Sequence, residues 1–422
     1  MERLLVGALV AAVSVVGVGE PPAELYTYLA ATAGEGTWEV RSIQPVGTGR
    51  VTEIGLRSQT WRGIPWDHVL TVYEPGEVLV EDVLVLFISG DPGPGDVLLG
   101  RTGAALSGLR FAILSGVPNQ PLFGLREDAL IAHTFERYLV EGDPDWPLLL
   151  PMVRSAHAAL EALDALAPGL WGTELRGVVV AGASKRGWTA YLTAATAPAR
   201  VVGLAPIVFD FLNIPAQLQH QEEVLGGPSP MLDAYTSRGL TRAFATSERG
   251  LRLAQIVDPY TYRHALTMPK LIIAGSNDPY WTVDATSLYW PGLPDPKLLL
   301  VVPNAGHGLL DVFRVMSSVG AFARLVARGE IIPTVRFTSD GARVGVETDR
   351  EPDEARLWVA ASATRDFRFA RWEERELRGE GRAWETVVTP PDAGYLAFFA
   401  ELVFPVDELK LCVSSPPQVL GP

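Results

Sequence analysis

Cysteine is nearly absent from this 422-residue chain, which has only Cys412. A lone cysteine cannot form a disulfide within the chain, and it rules out metal sites built from several cysteines. The sequence also has no glycine-rich phosphate loop, no H-E-x-x-H motif and no internal repeat. We therefore expect neither a metal nor a cofactor, and the chemistry must come from ordinary side chains.

Positive charge is also scarce, because 35 Lys and Arg residues stand against 49 Asp and Glu residues and give a formal net charge of −14. No long basic run occurs, although surfaces that bind nucleic acid concentrate Lys and Arg. The composition therefore argues against nucleic acid as a partner.

The chain is rich in apolar residues, which make up 48% of it, so it can bury a large core and exceeds one typical domain in length. Up to about residue 80, short alternating runs predict antiparallel strands. From there to about residue 330, strand and helix patterns alternate, with helical periodicity at residues 126–140, 149–166 and 309–328. Such alternation predicts an α/β fold with a mostly parallel sheet and helices on both faces.

The first 19 residues have the plan of a secretory signal peptide. Arg3 precedes an apolar stretch over residues 4–18, and small residues stand before Glu20. This stretch is shorter than the ~20 apolar residues of a membrane span. We expect a secreted or periplasmic protein, with an uncleaved membrane anchor or a buried N-terminal helix as the alternatives.

A serine ends a short apolar run in the string GVVVAGASKRGW, residues 177–188. The run predicts a strand, the residues after Ser184 predict a helix, and the small residues before it leave room for a sharp turn. This arrangement is typical of the nucleophile elbow of α/β-hydrolases, whose usual pattern is G-x-S-x-G. Here the second glycine comes one residue late, at Gly187, and Arg186 takes its usual place. The alternative is an ordinary turn with an N-capping serine.

Two further strand-like runs lead to residues that could act as the acid and the base of a catalytic serine. PKLIIAGSNDPYW leads into Asp278, and PKLLLVVPNAGHGLL delivers His307 in a glycine-flanked loop. The chain order Ser, Asp, His, each just past the carboxyl end of a strand, is that of α/β-hydrolases. Histidine can take the serine proton and return it to a leaving group, while a carboxylate fixes the imidazole tautomer. We expect Ser184, Asp278 and His307 to form a catalytic triad.

Other residues could replace two members of this triad. Asp284, six residues beyond Asp278, and Asp210, at the end of the preceding strand, are the alternative acids. The remaining histidines are interpreted as structural or surface residues, although the last two of them could line a pocket; they are His68, His133, His157, His220 and His264.

These strings, with others along the chain, resemble the PhoPQ-activated pathogenicity-related family, secreted proteins with an α/β-hydrolase-like domain. The resemblance covers about residues 24–415, and GASKRGW, late glycine included, is typical of the family. It implies export and a hydrolase-like fold. The strings that carry it are LRSQTWRGIPWDHVLTVYEP, VLVLFISG, NQPL, REDALIAHTFERYL, DWPLLLPMVRSAHAALEALD, GASKRGWTAYLTAA, DPYTYRHALTMPKLIIAGSNDPYW, VPNAGHGL and ARLWVAAS.

One loop departs from the family pattern. After FISG the family usually carries a pair of glycines, whereas this chain reads FISGDPGPGD, with Asp91 following Gly90. In α/β-hydrolases this loop supplies one backbone N–H of the oxyanion hole, here from Gly90 or Asp91, and the residue after the serine, here Lys185, supplies the other. We expect the Asp91 side chain to turn outward, or the oxyanion hole to be weaker than in relatives.

The sequence divides into a probable signal peptide (1–19), an α/β-hydrolase domain (20–332) and a β-rich C-terminal module (333–422). Residues 211–268, rich in Gln, Glu, Pro and Gly, form an insertion where α/β-hydrolases commonly carry a lid over the site. The short alternating runs after residue 332 predict a small β-sandwich-like module, which we expect to dock against the hydrolase domain or to contact a protein partner.

The function expected from these residues is that of a serine hydrolase. It would attack an ester or amide bond of a small molecule or peptide and pass through an acyl-enzyme on Ser184, without a cofactor. A second hypothesis is a secreted binding or signalling protein that keeps the hydrolase scaffold without turnover, since fold analogy alone cannot separate the two. A third is a peptidase, because a hydrolase domain with a β-rich module resembles prolyl-peptidase relatives, although in those the β-domain usually precedes the hydrolase.

Overall fold

The computed structural model describes residues 20–341 and 343–421, and the largest sheet within these residues has nine strands. The helices and strands of this part are, in chain order, α1 (Ala23–Ala31), β1 (Thr37–Val46), β2 (Gly49–Trp61), β3 (Ile64–Glu74), β4 (Val83–Ile88), α2 (Pro94–Ser107), β5 (Arg110–Ser115), α3 (Glu127–Glu141), α4 (Leu149–Trp171), β6 (Gly177–Ala183), α5 (Lys185–Thr196), β7 (Val201–Ile207), α6 (Ile214–Leu225), α7 (Asp233–Thr236), α8 (Leu240–Thr246), α9 (Glu248–Val257), β8 (Lys270–Gly275), β9 (Lys297–Val302) and α10 (Val312–Arg328).

The strands of this sheet lie in the order β1-β2-β3-β5-β4-β6-β7-β8-β9. The strands β1, β2, β3 and β5 pair antiparallel in turn. The pairings from β5 through β4 to β9 are parallel. The predicted mostly parallel sheet, with antiparallel strands before residue 80, is confirmed.

Both faces of the sheet are covered, and the strand residues alternate between two cores. In β4, Leu84 and Leu86 join the core that includes α4 and α5, whereas Val83 and Val85 join the core that includes α2 and α10. A strand buried on both faces needs apolar residues throughout, which is why β4 has an uninterrupted apolar sequence. The expected helices on both faces are present.

Two helices differ in extent from their sequence pattern. Helix α10 begins at Val312 and not at residue 309, because the Asp311 side chain caps it by accepting a hydrogen bond from the Arg314 N–H at 3.1 Å. Helix α4 continues past residue 166 to Trp171 and ends at Gly172, which has a φ of 70°.

The insertion between β7 and β8 is helical. It contains α6 to α9 together with the 3₁₀ turns Pro230–Leu232 and Pro259–Ala265. Two further 3₁₀ turns, Ala285–Leu288 and Trp290–Gly292, follow β8. The insertion is therefore an ordered, helical part of the structure.

The C-terminal part consists of two antiparallel sheets, as far as the structure describes it. One has the strand order β10-β11-β15-β14, and the other has the order β13-β12-β16-β17 with β18 added beside β16. The strands are β10 (Val335–Ser339), β11 (Arg343–Thr348), β12 (Glu354–Ser362), β13 (Glu373–Glu376), β14 (Gly379–Glu380), β15 (Ala383–Val387), β16 (Tyr395–Val406), β17 (Leu409–Ser414) and β18 (Gln418–Leu420).

This module docks closely against the hydrolase part through β17. The Cys412 N–H of β17 donates to the Ser318 hydroxyl of α10 at 3.1 Å, and the Val301 N–H of β9 donates to the Ser414 hydroxyl at 3.0 Å. The two parts also share one apolar core. The lone cysteine is thus a buried structural residue at this interface.

No helix among residues 20–341 and 343–421 has the length and apolar character needed to cross a membrane. The predicted signal peptide, residues 1–19, lies outside the described residues.

Candidate active site

Ser184 lies in the turn between β6 and α5. Its backbone angles, φ 54° and ψ −124°, form a conformation that residues other than glycine rarely adopt. The Ser184 N–H donates to the Ile207 carbonyl of β7 at 2.8 Å, which helps to hold the strained turn. The serine side chain makes no capping hydrogen bond to α5. The alternative of an N-capping serine is therefore wrong.

Close backbone contacts explain the two glycines of this turn. A Cβ atom on Gly182 would lie 2.5 Å from the Arg186 carbonyl oxygen and 3.2 Å from the Arg186 Cβ. A Cβ atom on Gly187 would lie 3.0 Å from the Gly182 carbonyl oxygen. Because Gly182 leaves this space empty, a large side chain fits at position 186, where the usual elbow has its second glycine.

His307, in the loop after β9, lies between the serine and a carboxylate. Its Nε2 is 2.9 Å from Ser184 Oγ, and its Nδ1 is 2.8 Å from Asp278 Oδ2. An ionised carboxylate can only accept hydrogen bonds, so we assign the proton of the neutral imidazole to Nδ1. His307 Nε2 is then free to accept the hydrogen bond, and later the proton, of the serine hydroxyl.

The Asp278 carboxylate is buried and has a partner for each oxygen. The residue is 4% exposed and lies in the loop that follows β8, three residues after Gly275. One oxygen accepts from His307, and the other accepts from the Tyr280 N–H at 2.9 Å. The Tyr280 ring lies against the imidazole, with 4.4 Å between the ring centroids. These contacts fix both the carboxylate and the plane of the imidazole.

The two alternative acids have other partners. Asp210 accepts from the Tyr289 hydroxyl at 2.5 Å and from the Thr286 hydroxyl at 2.8 Å, and burial raises its pKa to about 6. Asp284 lies 2.7 Å from His220 Nε2 and also pairs with Arg365. Of the three carboxylates considered, the structure places Asp278 beside His307.

The remaining histidines have structural environments or lie at the surface. The rings of His68 and His157 are hydrogen-bonded inside the core, and burial lowers the pKa of each to about 4. His133 packs against Phe123, with 5.4 Å between ring centroids. His264 is exposed on a 3₁₀ turn.

The loop after β4 and the start of α5 supply the candidate oxyanion donors. Lys185 is the first residue of α5, so its N–H belongs to the first turn, where backbone N–H groups have no partner within the helix. The Gly90 carbonyl accepts from the Gly116 N–H at 2.5 Å, which ties this loop to the end of β5. The Asp91 side chain is 48% exposed and pairs with Arg126. The expected outward orientation of Asp91 is thus what the structure has.

This orientation changes what replacing Asp91 should do. Because Arg126 balances the carboxylate, Asp91→Gly and Asp91→Asn should not accelerate labelling of the site by a fluorophosphonate. A half-exposed ion pair contributes about 0 to 1 kcal/mol, so we expect labelling rates within about 5-fold of wild type, at or below its value. A clear acceleration in both variants would show that the Asp91 charge weakens the oxyanion hole.

Arg186 and Glu127 form a contact beside the site that the sequence analysis missed. The Arg186 guanidinium binds both Glu127 oxygens, at 2.7 and 2.8 Å, and donates from Nε to the Val117 carbonyl at 2.6 Å. Burial would raise the pKa of Glu127, but the hydrogen bonds and charge of Arg186 outweigh it and lower this pKa to about 2. A Cβ atom on Gly90 would lie 2.8 Å from Arg186 Nη2. Arg186 therefore ties the serine turn to α3 and to the segment after β5, and it packs against Gly90 of the loop after β4.

Asp128, next along α3, gathers hydrogen bonds from three elements. Its carboxylate accepts from Lys185 Nζ at 3.1 Å, from the Tyr235 hydroxyl of the insertion at 3.0 Å, and from the Tyr280 hydroxyl at 3.4 Å. In the sequence, Glu127 and Asp128 appear only in the string REDAL, and Arg186 only as the residue in the usual glycine position. Neither signal shows which residues these side chains bind.

A mostly apolar pocket begins at Ser184. It is narrow, with a cavity volume of about 40 Å³. The insertion forms much of its wall, and Asp128, Lys185 and Thr241 are its polar lining residues besides Ser184; the apolar and aromatic lining is Phe135, Trp188, Phe209, Phe211, Ile214, Leu218, Leu232, Tyr235, Phe244, Tyr280 and Trp281. Residues of the insertion thus line the same pocket as Ser184. Pockets of this kind bind ligands mainly through apolar contact.

In the described part of the chain, no group of three or more His, Cys, Asp or Glu side chains could hold a metal ion.

The family model of the PhoPQ-activated pathogenicity-related proteins matches residues 25–368 of this chain. The match ends inside the C-terminal module, short of residue 415, to which the sequence resemblance was expected to extend. Autocrine proliferation repressor protein A of Dictyostelium discoideum is 29% identical over 400 residues, covering 84% of this chain and 80% of that protein.

Among solved structures, acetyl xylan esterase 1 from Thermoanaerobacterium sp. JW/SL YS485 is similar, with a TM-score of 0.51 and 14% identity over 73% of this chain and 95% of that chain. An S-formylglutathione hydrolase from Agrobacterium tumefaciens has a TM-score of 0.45 and 16% identity over 69% of this chain and 99% of that chain. At such identities the likeness to the xylan esterase shows the fold alone, and it confirms the predicted α/β-hydrolase fold.

Proposed function

The chain belongs to the PhoPQ-activated pathogenicity-related protein family and has an α/β-hydrolase fold, and from this premise we propose that it is a serine hydrolase that cleaves an ester or amide bond. The observation that carries the proposal is the continuous hydrogen-bonded chain from Ser184 through His307 to Asp278, with distances of 2.9 and 2.8 Å. Its strained serine, oriented imidazole and buried carboxylate are the parts that acyl transfer needs.

In the proposed reaction, Ser184 Oγ attacks the substrate carbonyl carbon while its proton passes to His307 Nε2. Asp278 stabilises the imidazolium that forms. The negative oxygen of the tetrahedral intermediate would accept hydrogen bonds from the N–H of Lys185 and from the loop at Gly90 and Asp91. His307 then protonates the leaving alcohol or amine, and the carbonyl group stays on Ser184 as an acyl-enzyme. A water that gives its proton to His307 releases the acid and restores the serine.

The pocket supports a substrate with an apolar group next to the scissile carbonyl. Its lining is dominated by aromatic and aliphatic side chains, and the nearest charged groups, Asp128 and Lys185, already bind one another. An additional charge buried there would lack a partner, which is costly. We therefore propose an uncharged, apolar acyl group as the part of the substrate that the pocket holds.

A second candidate function is extracellular signalling on a hydrolase scaffold without turnover. The similarity to autocrine proliferation repressor protein A of Dictyostelium, whose name describes a repressor of proliferation, favours it. The two functions make different demands on Ser184, because a signalling scaffold has no need of a reactive hydroxyl. Export, proposed from the signal-peptide pattern of residues 1–19, suits either one.

Fluorophosphonate labelling of the full chain, with mass-spectrometric mapping, tests the proposal without a known substrate. A serine hydrolase becomes modified at Ser184. An unmodified Ser184 in folded protein would remove the proposal and favour the signalling scaffold.

The same protein should also discriminate among p-nitrophenyl esters. We expect kcat/KM to rise by up to about 4-fold per methylene from acetate to butyrate, because each buried methylene contributes about 0.8 kcal/mol. A succinate monoester, which carries a carboxylate, should react more slowly than butyrate. Phe244→Ala removes a large side chain from the pocket wall and so enlarges the pocket, which should shift the preference to longer acyl chains. Equal rates across the series, or a preference for the charged ester, would contradict an apolar acyl pocket.

A further inference from the structure

The C-terminal module contacts the proposed active site through one loop. Residues 363–372 connect β12 to β13 and lie against the two loops that carry Asp278 and His307. We name residues 363–372 the bracing loop. The match to the family model extends to residue 368, so it passes the end of the hydrolase domain and reaches into this loop.

The bracing loop holds the acid loop through Asn277, the residue before Asp278. The Asn277 amide donates to the Ala370 carbonyl at 2.7 Å and to the Phe367 carbonyl at 3.1 Å. The Asn277 side chain is itself oriented by the Ser276 hydroxyl, which donates to its Oδ1 at 2.7 Å. The position of Asp278 therefore depends on carbonyl groups that lie about ninety residues further along the chain.

The same loop holds the histidine loop through Asn304. Its amide donates to the Trp372 carbonyl at 2.9 Å, and its Oδ1 accepts from the Trp372 N–H at 2.8 Å. Asn304 has a φ of 56°, a left-handed conformation that asparagine tolerates better than most residues. Its own N–H donates to the Ser276 hydroxyl at 2.9 Å, which joins the histidine loop to the acid loop.

The bracing loop is itself firmly anchored. Phe367 and Trp372 are each 2% exposed, and the Trp372 ring packs on Phe399 of β16 with 5.0 Å between centroids. Near its start, Arg365 pairs with Asp284, 3.1 Å away. A buried anchor of this kind can fix the position of a loop that has no regular hydrogen bonding of its own.

We infer that the bracing loop is a positioning element for the proposed triad, acting through Asn277 and Asn304, and that the C-terminal module is therefore part of the catalytic apparatus. This inference rests on the proposed function. Both catalytic side chains stand on irregular loops, and a displacement of about 1 Å in such a site can lower turnover by about 100-fold. The module supplies the fixed points that the loops lack, although none of its residues is proposed to touch the substrate.

Asn277→Ala and Asn304→Ala test this role. Each should lower kcat by about 10- to 100-fold while KM stays within about 2-fold, because the apolar pocket is untouched. Asp349→Ala, which removes a side chain-to-backbone hydrogen bond elsewhere in the module, is the control and should leave both quantities unchanged.

The proton on His307 Nδ1 gives a readout that does not depend on turnover. In wild type its NMR resonance should lie at low field because of the hydrogen bond to Asp278, and it should move or broaden in both asparagine variants and not in Asp349→Ala. An unchanged resonance together with an unchanged kcat in either asparagine variant would overturn the positioning role of that asparagine. A lower melting temperature and fewer active sites that react with the fluorophosphonate, with a normal kcat per reactive site, would also overturn it. The asparagine would then contribute to stability alone. If wild-type protein is not labelled at Ser184, the proposed function is refuted, and the catalytic role of the bracing loop with it. The His307 resonance would still show whether the loop orients the imidazole.

Discussion

Ser184→Ala is expected to abolish fluorophosphonate labelling and to lower kcat on any substrate by about 10⁶-fold, the loss seen when a serine protease triad loses its serine. The substitution removes the hydroxyl oxygen that lies 2.9 Å from His307 Nε2, on a residue that lines the apolar pocket. Intact-mass spectrometry after exposure to the probe measures the labelling. Substrate should still bind, because the pocket lining remains.

The fold should tolerate this change. Alanine would meet the same backbone strain as serine at φ 54°, and the hydroxyl makes one hydrogen bond, worth about 1 kcal/mol, so the melting temperature should move by no more than about 2 °C. Ser237→Ala, an exposed position in the insertion, is the control and should label as wild type does. Labelling of Ser184→Ala at a different serine would contradict the assignment of the nucleophile.

The sequence was informative about the sheet and about the order of the site residues. Ser184, Asp278 and His307 each follow an apolar run, and because parallel strands end at one edge of a sheet, three such residues were expected to meet there. The structure brings these three residues together. Periodicity also predicted α3, α4 and α10, with errors at ends that depend on single groups such as the Asp311 cap, but it did not predict α1, α2 or the helices of the insertion.

The polar contacts that complete the site could not be predicted from the sequence, because they join segments that are far apart in the chain. Arg186 pairs with a carboxylate 59 positions away, and Asn277 binds a carbonyl 93 positions away. Apolar periodicity reports which face of an element is buried, and it carries no information on the partner of a polar side chain. For the same reason the sequence does not show which way the Asp91 side chain points, whereas in the structure it pairs with Arg126.

Asp278→Asn is expected to lower kcat by about 10⁴-fold, as the equivalent change does in well-studied serine proteases. The asparagine amide can donate to His307 Nδ1, which favours the tautomer with its proton on Nε2. That nitrogen can then no longer accept the proton of Ser184. Rates of fluorophosphonate labelling measure the effect without a known substrate, and intact protein with an unreactive Ser184 is the expected result.

Asp284→Asn is the matched control, because it makes the same chemical change six residues away in the same loop region. Asp284 pairs with His220 and Arg365 and not with His307, so its loss should loosen contacts with the insertion and the module but leave the His307 tautomer unchanged, and the rate should fall far less than in Asp278→Asn. Asp210→Asn should also fall well short of the Asp278 effect, because Asp210 binds Tyr289 and Thr286. If Asp284→Asn or Asp210→Asn proved more damaging than Asp278→Asn, the acid of the triad would be misassigned, and His307 would have to take a different orientation during turnover from the one that the structure shows.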